Sequence, residues 1–84
     1  SNYRRWSTVF SNAFDTLRRQ KHSESVTFLG TYALKNEAEF FAVCSERFFQ
    51  SPKSLKNYLP EIYEELKRFY KLDTAVLFKA LSEP

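Results

Sequence analysis

One glycine and three prolines serve a chain of 84 residues that carries nine Phe, five Tyr and one Trp. That imbalance limits the fold more than any other feature. Tight turns between strands draw on Gly, Pro and Asn, often at positive φ. A many-stranded β fold would lack its turns here, so helices are the expected elements. The aromatic rings set a second limit. Each can bury about 150–250 Å², whereas a chain this short hides only about 60–65% of the surface it exposes when unfolded. The expected fold is mainly α: a single small helical domain or fragment over residues 1–84, with four to five helices. Apolar rings that the core cannot hold must meet something else.

Apolar spacing locates the helices. Trp6, Val9, Phe10, Ala13, Phe14 and Leu17 recur at i, i+3, i+4, i+7, i+8 and i+11, the stripe of an amphipathic helix. Arg18, Arg19 and Lys21 crowd its end, where the helix dipole favours cations. Residues 21–35 break the period. Val26 and Phe28 alternate with Thr27 and Leu29 before Gly30, which predicts a loop or a short edge strand ahead of the second helix. Asn36 suits an N-cap, with Glu39 three residues on as in a capping box. From Phe40 to Cys44 the next helix is apolar around most of its circumference, the pattern of a buried helix. Glu39, Ala42, Val43 and Glu46 share one of its faces. Ser51-Pro52 and then Pro60 start two further helices. The stripe of the second is Ile62, Leu66, Phe69 and Tyr70. Asp73 can cap a last helix carrying Val76, Leu77, Ala80 and Leu81.

Composition excludes several classes of function. A single cysteine rules out an internal disulfide framework and fits a reducing compartment. No apolar run approaches the roughly 18 residues of a membrane span, so a cytoplasmic protein without membrane contact is expected. The net charge of +3 permits a nucleic-acid partner without requiring one. Arg4, Arg5, Arg18, Arg19 and Lys21 read as a solvated basic face, because Trp6 belongs to the apolar stripe and no reader motif accompanies them. Direct nucleic-acid binding is therefore not expected.

The stretch YALKNEAEFFAV at 32–43, followed by SERFF at 45–49, resembles a signature of the MtfA family. Those proteins are glucose-regulated zinc metallopeptidases, also called DgsA anti-repressors. The usual signature reads Y-A-x-T-N-P-A-E-F-F-A-V-x-S-E-x-F-F. The spacing W-x-x-V-F-x-x-A-F-x-x-L-R-R at 6–19 and the segment around Leu59, Pro60, Tyr63, Phe69 and Tyr70 are similar to its flanks. The resemblance spans roughly residues 3–73 and implies the C-terminal part of a zincin-like peptidase. It further implies that zinc is held by two histidines of an H-E-x-x-H helix and by a downstream glutamate, which matches Glu39. A tyrosine near the metal matches Tyr32. Such residue types suit the chemistry: catalytic zinc commonly takes three protein ligands and leaves one position for water, and a tyrosine hydroxyl can donate to a developing oxyanion.

This sequence departs from the family pattern in three places. His22 is the only histidine, so H-E-x-x-H is absent, and no zinc is expected on this chain alone. The piece is accordingly expected to be inactive by itself and to work with an upstream metal-binding half of the same protein, on a peptide substrate. Glu37 stands where proline is usual, and Lys35 where threonine is usual.

Each assignment has a plainer structural counterpart. Glu39 serves equally as the N3 member of a capping box, and Tyr32 as a half-buried surface aromatic. Glu46 reads either as a carboxylate supporting a metal-binding histidine or as the partner of a nearby basic residue. Cys44, in the most apolar stretch of its helix, reads as a structural thiol. His22, in a polar loop, reads as solvated. The alternative function is a non-catalytic helical module that binds a transcriptional repressor such as Mlc, the partner the family resemblance implies.

Overall fold

The computed structural model describes residues 2–82 and contains six α-helices and one 3-10 turn, with no strand among the described residues. The order is α1 (Asn2–Arg19), α2 (Glu24–Leu29), the 3-10 turn (Thr31–Leu34), α3 (Glu37–Gln50), α4 (Pro52–Tyr58), α5 (Pro60–Tyr70) and α6 (Thr74–Ser82). The mainly α class holds, with more helices than the four to five expected.

The short strand before the second long helix does not form. Residues 24–29 are helical instead. The Ser23 hydroxyl oxygen accepts from the Val26 amide at 3.3 Å and caps this helix. Val26 and Leu29, three apart, are the buried pair. Gly30 closes α2 at φ 91°, a backbone region that costs glycine little and other residues much.

Helix α3 is central, with α1, α4 and α5 all packing against it. Its buried residues, Phe40, Cys44 and Phe48, recur every four positions. From α1, Phe10 and Phe14 reach Phe40 at ring-centroid distances of 6.0 and 5.5 Å. From α5, Tyr63 lies 5.2 Å from Phe48. Ring pairs of this kind add about 0.5–1.5 kcal/mol beyond their burial. The opposite side of α3 is open: Ala38, Ala42, Glu46 and Phe49 are exposed. The all-round apolar run from 40 to 44 therefore does not mean burial on every side.

The joints from α3 to α5 contain one residue each. Ser51 donates its amide to the Arg47 carbonyl at 2.7 Å, while its own carbonyl accepts from the Leu55 amide at 3.0 Å. Leu59 repeats the arrangement, with Leu55 behind it at 2.8 Å and Tyr63 ahead at 2.9 Å. Pro52 and Pro60 follow these joints at the first helical position, where a missing N–H costs nothing.

α5 ends on Lys71 in the left-handed conformation, and the Leu72 amide returns to the Lys67 carbonyl at 3.2 Å. Its buried residues are Ile62, Tyr63, Glu65 and Leu66. The expected stripe is thus rotated, and Phe69 is exposed. α6 departs further. Asp73 does cap it, accepting from the Val76 amide at 3.5 Å, but Val76, Leu77, Ala80 and Leu81 all face outward. The helix is attached through its first turn. Thr74 donates its hydroxyl to the Phe48 carbonyl at 2.7 Å. The buried Tyr63 hydroxyl donates to Asp73 Oδ1 and accepts from the Ala75 amide at 2.9 Å.

The shape follows from this stacking. The molecule measures 42 × 32 × 17 Å. Apolar side chains of α6, Val76, Leu77, Phe78 and Leu81, stay exposed.

Candidate functional site

Tyr32 and Glu39 sit on adjacent elements, because the 3-10 turn packs directly on α3. Ala33, wholly buried, anchors that turn to the core and leaves its neighbour Tyr32 59% exposed. Within the turn, the Ala33 amide reaches the Gly30 carbonyl and the Lys35 amide the Tyr32 carbonyl, both at 3.2 Å. Lys35 lays its ammonium 5.5 Å from the centre of the Tyr32 ring. Among the described residues, the Tyr32 hydroxyl has no hydrogen-bond partner.

Glu39 occupies the third position of α3. Its amide donates to Asn36 Oδ1 at 2.8 Å, the expected N-cap bond. The reciprocal half of a capping box, from the Glu39 carboxylate to the Asn36 amide, is not made among the described residues. The half-buried carboxylate has no hydrogen-bond or ion-pair partner there, and its neighbours Ala38 and Ala42 are exposed. Glu39 therefore lies at an open face, not sealed in the core.

Glu46, one helical face along, accepts from Arg47 Nη1 at 2.9 Å and is 55% exposed. That contact corresponds to its plainer reading as the partner of a basic residue. Cys44 is wholly enclosed. Burial pushes its thiol up to about 12, and the nearby Arg47 charge offsets only part of the effect. A thiol held protonated in this way is structural. His22 is exposed in the turn after α1.

Arg47 has a role that the sequence did not disclose. Its Nε and Nη2 donate to the carbonyls of Phe28 and Leu29 at 3.4 and 3.2 Å. These are carbonyls at the end of α2, which lack partners within the helix. The residue that clamps the segment leading into Tyr32 thus stands on the same helix as Glu39. With residues 24–29 read as a loop or strand, the sequence offered no helix C-terminus for Arg47 to face.

These donors do not make a metal site. A catalytic zinc centre needs about three protein ligands, and among the described residues no group of three His, Cys, Asp or Glu side chains is placed to hold an ion. Glu39 and Tyr32 fit such a site only as members of a set completed from elsewhere.

The described residues form a helical unit with one half-buried, unpartnered carboxylate at an open face, and the comparisons give this chain its family. The family model for glucose-regulated metallopeptidase M90 matches residues 1–71. The chain belongs to this family. It is 31% identical over 77 residues to Mlc titration factor A of Pectobacterium atrosepticum, covering 89% of this chain and 29% of that protein. Against Mlc titration factor A of Serratia proteamaculans the identity is 44% over 50 residues, or 60% of this chain and 19% of the relative. An uncharacterized protein of Synechocystis is 29% identical over 76 residues, covering 90% of this chain and 28% of its own length. The chain therefore spans less than a third of the length of these relatives. No solved structure matches it. No helix among the described residues is long and apolar enough to cross a membrane.

Proposed function

We propose that this chain supplies the carboxylate ligand, Glu39, and an adjacent tyrosine, Tyr32, to the zinc site of a family-length cytoplasmic peptidase. The histidine ligands and the general base would come from the H-E-x-x-H helix in the remaining portion. One observation carries the reading. Among the described acids that are not fully exposed, Glu64, Glu65 and Asp73 are paired or capping, and only the Glu39 carboxylate is left without a partner, at the start of a rigid helix on an open face. A side chain fixed at a helix N-terminus can hold an oxygen ligand in place. The neighbouring Tyr32 hydroxyl, unpartnered among the described residues, would donate a hydrogen bond to the oxygen that gains charge when a peptide carbonyl is attacked. Glu46 would support the site from behind with the oxygen that Arg47 does not engage. On its own the chain would bind no zinc and cleave no peptide.

The test is the zinc content of a family-length protein carrying Glu39→Gln. The expected result is loss of bound metal with the fold retained by circular dichroism. Unchanged stoichiometry and affinity would remove Glu39 from the ligand set.

A second reading rests on α6. Its uncovered apolar side suits a helical interaction module, and the family resemblance together with the name of the Serratia and Pectobacterium relatives points to an Mlc-type repressor as partner. Zinc-independent binding of such a repressor by this chain, alongside an inactive family-length protein, would favour it.

A further inference from the structure

Residues 30–36 carry Tyr32 from the end of α2 to the cap of α3, and α3 holds that path at both ends. At the far end Asn36 Oδ1 accepts from the Glu39 amide at 2.8 Å. At the near end Arg47, roughly two turns beyond Glu39, donates to the Phe28 and Leu29 carbonyls. Among the described residues, no other hydrogen bond joins α2 to α3. The bonds inside the 3-10 turn run from Ala33 back to Gly30 and from Lys35 back to Tyr32. They shape the turn without attaching it to the helix. Ala33 is wholly buried, but one methyl contact leaves a segment free to pivot. Gly30 does not wedge it, since nothing lies within 4 Å of where a Cβ would stand there.

Arg47 is held firmly enough to act as the second fixed point. Its side chain is 25% exposed. Its remaining nitrogen, Nη1, donates to Glu46 Oε1 at 2.9 Å, so all three guanidinium nitrogens are engaged. A planar fork bonded in this way has little rotational freedom. Its Cζ lies 5.9 Å from the centre of the Phe28 ring, and that ring stacks on Tyr58 of α4 at 5.2 Å. The end of α2 is thus gripped through two carbonyls and one ring.

We propose that Arg47 is a positioning residue, which sets where the Tyr32 side chain stands against α3 and therefore against Glu39. Its consequence for catalysis rests on the reading of Tyr32 and Glu39 given above. Arg47 touches no reacting atom and acts through the turn alone.

The test places 3-fluorotyrosine at position 32 of a family-length protein and compares its fluorine resonance with Arg47 intact, in Arg47→Gln and in Arg47→Lys. Glutamine is short, with one terminal nitrogen, and cannot bridge two carbonyls. Lysine keeps a charge at the helix end. The expected result is one sharp resonance with Arg47, a shift toward the free amino acid with glutamine, and an intermediate position with lysine. Tyr63→Phe, which loosens α6 instead, leaves the resonance where it was. An unmoved resonance in Arg47→Gln, or an equal movement in Tyr63→Phe, overturns the proposal. Turnover of a fluorogenic peptide amide reads the consequence. The kcat of Arg47→Gln falls about ten- to a hundredfold, the scale of a misplaced reacting group, with KM and zinc content unchanged. It falls no further when Tyr32→Phe is already present. A loss that persists at full size beside Tyr32→Phe, or no loss where Tyr32→Phe alone lowers kcat, overturns action through Tyr32. Undiminished kcat in Tyr32→Phe overturns instead the functional reading of that tyrosine, and the resonance still decides whether Arg47 places it.

Discussion

Deleting one oxygen atom, in Tyr63→Phe, tests how α6 is held. The Tyr63 ring is wholly buried against Phe48, and its hydroxyl makes two contacts, donating to Asp73 Oδ1 and accepting from the Ala75 amide. The ring stays, so no cavity of consequence opens. What is lost is one hydrogen bond to a charged acceptor, about 1.5–3 kcal/mol, and one ordinary bond of about 0.5–1.5 kcal/mol. Asp73 keeps Lys67 at 3.5 Å and part of its solvation, which reduces the loss. The expected destabilisation is about 2 kcal/mol, or a fall of about 8–16 °C in the thermal midpoint for a domain of this size. The pH dependence separates this account from simple repacking. The hydrogen bond from Tyr63 is the largest of the influences that hold the Asp73 carboxyl below its ordinary range. A depressed carboxylate contributes stability above its unfolded pKa of about 3.9, and that stability is lost as the pH falls through the lower folded value. Wild type should therefore lose stability over this acidic window, and Tyr63→Phe should lose less there. Urea unfolding from neutral pH down to the acid limit measures both quantities. A destabilisation under about 0.5 kcal/mol, or parallel pH profiles for the two proteins, would refute the reasoning.

Two further outcomes follow from the same geometry. Arg47→Met should cost about 1–2 kcal/mol, since two carbonyls at the end of α2 lose a charged donor. Amide exchange should accelerate over residues 24–34 more than over α5, and uniform acceleration would contradict the clamp. Cys44, with its thiol at about 12, should resist a thiol reagent at neutral and mildly alkaline pH in the folded chain and react at once in denaturant. Prompt modification of the native protein would show that the helix opens far more readily than its burial implies.

The sequence revealed faces better than it revealed what covers them. The stripe of α1 was legible because a long helix repeats its period enough times to be unmistakable. The cap at Asn36 and the prolines at 52 and 60 were legible because each does a local job that needs a particular residue type. α2 was misread for the opposite reason. Across six residues, alternation at Val26 and Phe28 cannot be told from a helical pair at Val26 and Leu29, and the Ser23 cap decides between them. α5 was read with Phe69 in the core and Tyr63 outside its stripe. Tyr63 could turn inward because Asp73 and Ala75, distant in sequence, satisfy its hydroxyl. Glu65 could be buried because Arg68 and Arg5 pair with it. In α6 the apolar residues were placed correctly on one side, but that side has nothing against it here. The candidates Tyr32 and Glu39 rest on the family signature alone, while the Arg47 clamp depends on contacts between distant segments.

The one-residue joints at Ser51 and Leu59 bear on where this chain can be cut. Their amides and carbonyls are all engaged by the helices on either side, so a protease cannot draw either joint into its groove without first unwinding a helical turn. Residues 20–23 and 71–73 are freer, and each contains an exposed lysine, Lys21 and Lys71. Brief trypsin digestion should nick at these two places and spare the α3–α5 block, so the fragment carrying Glu39 and Tyr32 would outlast both flanking helices.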